Sequence, residues 1–169
     1  MEKKILLAVD NTRPSQRAIH YAVQLSSVVN KLHYVLIHIQ PMISDYLQEE
    51  VSKSASARRQ LDKVLKENDH FAQKLLDERR NEIENKGIAP DRIECVTKKR
   101  NLGYAKDIID YAQKERYDAI VVGRRGLSGL VKMYVGSVTT NILEQSQVIP
   151  VWLVDGEVTS SEMLLAIDG

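Results

Sequence analysis

Short apolar runs alternate along this chain with longer stretches in which apolar residues return every three or four positions. Ile5 to Val9 is a continuous apolar run that stops at Asp10-Asn11-Thr12. An uninterrupted run of this length marks a strand covered on both faces, because a strand with one wet face would alternate. Asp10, Asn11 and Thr12 are turn and cap residues, and Pro14 suits the first turn of a helix. Ala18, Ala22, Leu25 and Val29 then recur at helical spacing. A second β-rich run, Tyr34 to Ile39, closes at Gln40-Pro41, and the polar stretch from Asp45 to Ser56 is expected to be a loop. From Ala57 to Asn85 the chain is charged and helical, with Leu61, Val64, Leu65, Phe71, Leu75, Leu76 and Ile83 on one apolar stripe. That stripe is expected to be core, with Arg58, Arg59, Arg79 and Arg80 on the solvated side. Lys86-Gly87 supplies a helix stop, with Pro90 just beyond.

The same punctuation continues. Ile93 to Thr97 reads as a third strand, Gly103 to Lys114 as a helix and Asp118 to Val122 as a fourth strand. Ser137 to Gln145 reads as a helix and Val151 to Val154 as a fifth strand. Strands alternating with helices imply parallel pairing through right-handed crossovers. The expected fold is therefore α/β, a three-layer doubly wound sheet. Ligands of such sheets sit outside the carboxyl ends of the strands, where the strand order reverses. If the first and fourth strands are neighbours, Asp10 faces the end of the fourth strand across one crevice.

That fourth strand leads into the glycines of the chain's most distinctive segment. Gly123 is followed after two residues by Gly126, and after nine more by Gly136, with Ser137 directly behind it. Glycines admit bare backbone N–H groups to an anion, and a helix N-terminus adds partial positive charge, so the arrangement has the parts of a phosphate site. Ser137 and Thr139 hydroxyls could donate to phosphate oxygens, or Ser137 could only cap its own helix. Asp10 could accept from ribose hydroxyls or cap the Pro14 helix. Arg124, Arg125 and Lys132 are candidates to neutralise phosphate charge or to be plain solvated side chains.

Composition narrows the classes. At 169 residues, with 43% hydrophobic and 28% charged residues, the chain fits one ordinary globular domain. A formal charge of +1 gives no reason to invoke nucleic acid or an anionic membrane. One cysteine, Cys95, forms no disulfide framework and points to a reducing, cytoplasmic setting. Ile5 to Val9 is too short for a signal-peptide core or a membrane span. No Walker sequence is present, and Gly126-Leu127-Ser128-Gly129 is no nucleophile elbow, since Leu130 stands where the last glycine belongs. His20, His33, His38 and His70 lack metal spacing and read as structural or surface residues. No catalytic residue and no metal ligand are assigned, and with no general base evident near the glycines any phosphate turnover is expected to be slow.

With the spacing Gly123-x2-Gly126-x9-Gly136-Ser137 in place on the right strand and helix, and Asp10 closing the first strand, the chain resembles a universal stress protein of the nucleotide-binding type. The resemblance runs from about Lys3 to Val154. It implies the strand order 3-2-1-4-5, an ATP or other adenine-nucleotide site with the choice of Mg²⁺ or Mn²⁺ open, and a regulatory role in stress response. It implies a homodimer or tandem pairing through Val151, Trp152, Leu153 and Val154. It places Ala8, Val9 and Ile39 beside the base, Asp10 near the ribose, and Val122, Gly123, Arg125 and Gly126 along the nucleotide. Gly136, Ser137, Val138 and Thr139 would hold the phosphates. Arg124 and Asn11-Thr12 depart from the small residues common there. A nucleotide-independent dimeric scaffold and a slow ATP hydrolase are the competing readings. Residues 1–156 are the expected domain. Because Ile5 to Asp10 recurs as Met163 to Asp168, residues 157–169 are expected to open a second repeat or to add one extra strand.

Overall fold

The computed structural model describes residues 2–27, 29, 31–44, 49–51, 54–124 and 137–156. The elements expected from the hydrophobic pattern appear in the expected order. Strand β1 is Lys3–Ala8, helix α1 Arg13–Gln24, β2 Leu32–Gln40, α2 Ala55–Glu84, β3 Ile93–Lys99, α3 Tyr104–Lys114, β4 Ala119–Gly123, α4 Ser137–Gln145 and β5 Val151–Val154. Ala55 and Ser56, expected in a loop, are already helical, because Ser54 caps α2 by accepting from the N–H groups of Ser56 and Ala57. Gly87, at φ +88, ends the turn after α2. The possible second repeat, residues 157–169, lies outside the described residues.

All pairings are parallel, and the sheet order is β3-β2-β1-β4-β5. The apolar runs are continuous because helices cover both faces. Ile5, Leu7 and Val9 face α1 and α2 with Ala18, Ile19, Leu75, Leu76 and Ile83. Leu6, Val35, Ile37 and Ile120 face α3 and α4 with Ile108, Ile109 and Ile142. β1 and β4 pair through Ile5–Ala119, Leu6–Ile120 and Leu7–Val121, so the strand order reverses between them. Their bases are tied by Asp118, which accepts from Lys3 Nζ at 2.5 Å and from the Lys4 N–H at 2.8 Å. Burial pushes this carboxyl up, but those hydrogen bonds and the Lys3 charge outweigh it and hold it below the usual carboxylate range.

Two expectations about α2 are corrected. The apolar stripe is core only from Ala72 onward, while Leu61, Val64 and Leu65 are half-buried and Phe71 is 46% exposed. The reason is length. Thirty residues of helix span about 45 Å, whereas the nine residues of β2 span about 30 Å. The first turns of α2 therefore overhang the sheet. Arg79 is also not solvated: it is 8% exposed and pairs with Glu82, which in turn accepts from Gln16 Nε2 on α1 at 2.9 Å. The buried guanidinium is paired, and an adjacent helix supplies its carboxylate with a further donor.

Candidate functional site

A cleft of about 320 Å³ opens at the carboxyl ends of β1, β2 and β4, at the reversal of strand order. It brings together eight of the residues singled out from the sequence: Ala8, Val9, Asp10, Ile39, Val122, Gly123, Val138 and Thr139. Arg125, Gly126 and Gly136 lie outside the described residues, as does Lys132. Ser137 is exposed and opens instead onto an adjoining groove beside Gly103, Lys106 and Asn141. Arg124 turns away from the cleft, pairing with Asp155 at 2.7 Å beyond β5.

The turn after β1 is held by its own side chains. Asp10 Oδ1 accepts from the Thr12 N–H at 3.0 Å and from the Thr12 hydroxyl. Thr12, not Asp10, caps α1, accepting from the Ser15 N–H at 3.4 Å. The Asp10 N–H donates to Ser15 Oγ at 3.1 Å. Asp10 is thus an Asx-type brace behind the cap, and its carboxylate stands in the cleft lining with a fixed direction.

Gly123 is glycine for a reason the motif alone did not show. A Cβ there would sit 2.1 Å from the Pro14 carbonyl oxygen and 2.9 Å from the Ser15 nitrogen. The first turn of α1 therefore packs on the bare backbone at the end of β4, which brings the Asp10 turn up to the β4 loop. The Thr139 hydroxyl, 7% exposed, donates to the Gly123 carbonyl at 3.1 Å and pins α4 to the same point. Its proton is directed at the strand end and not into the cleft.

Thr12, Ser15, Ile37, His38, Pro41, Tyr104 and Ile108 also line the cleft and were missed as site residues. The sequence pattern places His38 among structural or surface residues. It is 8% exposed, and its Nδ1 lies 2.9 Å from the Val9 carbonyl oxygen. A carbonyl only accepts, so Nδ1 carries the proton, and in the neutral ring Nε2 is left as an acceptor, buried without a partner among the described residues. Adjacency to Ile39 at the end of β2 was the available signal for it.

The chemistry divides along the cleft. Ala8, Val9, Ile37, Ile39, Ile108 and Val122 make one end apolar. Asp10 is the one carboxylate among the described lining residues. A polyanion would be repelled by it, so charged groups of a ligand belong toward the N-terminus of α4, where the helix partial charge is favourable. Among the described residues no group of three or more His, Cys, Asp or Glu side chains could hold a metal ion, and no helix is long and apolar enough to cross a membrane.

This is a doubly wound α/β protein with its cleft at the topological switch point. The model of the universal stress protein family matches residues 1–155, and the chain belongs to that family. It is 28% identical over 156 residues to universal stress protein YxiE of Bacillus subtilis, covering 86% of this chain and 95% of that one. Solved structures that share its fold include two with a nucleotide bound. One is a universal stress protein family protein of Arabidopsis thaliana with AMP bound, at TM-score 0.60, 20% identity and 93% coverage of each chain. The other is the universal stress protein of Archaeoglobus fulgidus in complex with dAMP, at TM-score 0.61 and 18% identity, covering 90% of this chain and 97% of that one.

Proposed function

We propose that this chain binds an adenine nucleotide, ATP foremost, in the switch-point cleft and serves as a regulatory nucleotide-binding module in stress response. The observation that carries the proposal is the convergence of Asp10 with Val122 and Gly123 beside an apolar end, in a space of about 320 Å³. That volume lies at the lower end of the range for small-molecule sites. The adenine lies against Ala8, Val9 and Ile39, and Asp10 accepts from the ribose hydroxyls. The phosphates extend toward Ser137 and Val138, and Arg125, Gly126 and Gly136 are assigned to the same group from their place in the glycine spacing. AMP and dAMP in two proteins of the same fold support the ligand class.

The proposal includes a homodimer through β5. That strand is a sheet edge, its Val151 and Trp152 are half-buried, and Leu153 is 39% exposed. An apolar edge without charge is open to pairing with a second chain. A pairing domain in a tandem protein would take the same place, and the setting is cytoplasmic. Calorimetric titration with ATP, ADP and AMP tests the site: saturable binding in wild type that weakens by about 1–3 kcal/mol in Asp10→Ala is expected, as for loss of a charged hydrogen bond. Equal affinity in both proteins would refute the assignment of Asp10. Light scattering across a wide concentration range tests the dimer, and a monomer throughout would refute it.

A further inference from the structure

We propose that Tyr104, backed by Arg100, is the aromatic wall on which the nucleobase stacks, and that it gives the cleft a preference for purines over pyrimidines. The proposal rests on the nucleotide reading above and adds a residue to it.

Tyr104 is the first residue of α3 and lines the cleft beside Ile37, Ile39 and Ile108. It is half-buried, packed against the apolar cluster on that face of the sheet. The Arg100 guanidinium sits over its ring at 5.1 Å from the centroid. The part of the ring that lines the cleft is available to a ligand, and bases stack on such rings because each has a π-face, while the cation steadies the ring. The larger purine surface gains more from the contact than a pyrimidine does.

The wall is pre-organised by the loop that carries it. The Arg100 N–H donates to the Gln40 carbonyl at 3.1 Å, tying the loop to the end of β2. The Asp107 carboxylate accepts from the N–H groups of Asn101 at 2.8 Å, Leu102 at 3.0 Å and Gly103 at 3.4 Å. Gly103, at φ +143, takes a turn that L side chains rarely adopt and delivers Tyr104 to the cleft. A ring fixed before binding loses little freedom on meeting its ligand.

Affinity for AMP, CMP and ribose 5-phosphate is measured by calorimetry in wild type, Tyr104→Phe and Tyr104→Leu. Leucine retains apolar packing at α3 but has no ring, and thermal melts check that each variant folds. Tyr104→Phe is expected to keep AMP affinity within a few-fold. Tyr104→Leu is expected to lose about tenfold or more for AMP, less for CMP, and nothing for ribose 5-phosphate. In Tyr104→Trp, AMP should quench the indole emission while ribose 5-phosphate does not. Trp152 gives the background, since it packs on the opposite face of the sheet. A folded Tyr104→Leu protein with wild-type AMP affinity would overturn the proposal and leave the nucleotide site standing. Wild-type protein that binds neither AMP nor ribose 5-phosphate would overturn both. Equal losses for AMP and ribose 5-phosphate would show a structural role only and would overturn the wall.

Discussion

The two ends of the cleft are built differently. The end proposed for the base stands on the termini of β1, β2 and β4, between two packed cores. The end proposed for the phosphates lies at the N-terminus of α4, and most of the glycine-spaced sequence that leads to it falls outside the described residues. Between them lies one junction, where α1, β4 and α4 meet at Gly123. Strand ends supply shape and rigidity, while helix N-termini and glycines supply N–H groups and charge. A ligand with an apolar head and an anionic tail needs one of each.

Substitutions at the junction and at either end separate these contributions. The largest effect is expected at the junction itself. Gly123→Ala places a methyl group 2.1 Å from the Pro14 carbonyl oxygen, and should cost about 1–3 kcal/mol of stability by forced backbone shifts. Urea denaturation measures this, and an unchanged midpoint would show that α1 does not seat on β4. Asp10→Ala comes next. Because the ribose is common to adenosine, AMP and ATP, all three should lose a similar share, about 1–3 kcal/mol. A loss confined to ATP would move Asp10 from the sugar to the phosphates. Ser137→Ala should act on the anionic tail alone, weakening ATP by about 0.5–1.5 kcal/mol while sparing adenosine. Equal effects on both ligands would erase the distinction between the two ends.

The smallest effect concerns pH. Burial pushes the Asp107 carboxyl up, but hydrogen bonds from the N–H groups of Asn101, Leu102 and Gly103, with the charge of Arg100, outweigh it and hold the group below the usual carboxylate range. A folded pKa below the unfolded value of about 3.9 means that the native state binds fewer protons in that window. The contribution is complete above about pH 5 and is lost as pH falls through 3.9 toward the folded value. Asp107→Asn should therefore make the acid side of the stability curve shallower, as read from thermal melts at stepped pH. An unchanged acid limb would mean the loop before α3 does not depend on that charge.

Much of this could be read from the chain. Continuous runs such as Ile5 to Val9 announce strands buried on both faces, and that requirement leaves few topologies. Asp10 and Gly123 were legible because each ends such a run. What could not be read depends on contacts between distant elements. Arg79 looks solvated until Glu82 and Gln16 are placed around it, and Thr12 takes the cap that Asp10 was equally suited to supply. Gly123 is required by Pro14, more than one hundred positions away. Tyr104 carried no signal as a site residue, because a tyrosine at the start of a helix is unremarkable until the end of β2 is brought beside it. Periodicity carries the α2 stripe past the core, because it does not report where the sheet beneath a helix ends.

The most direct measurement is calorimetric titration of nucleotide-free protein with AMP, after a denatured extract has shown that no nucleotide was carried through purification. The account predicts one saturable site per chain, with affinity that falls in Asp10→Ala. Folded, nucleotide-free protein that takes up no adenine nucleotide at any attainable concentration would contradict it.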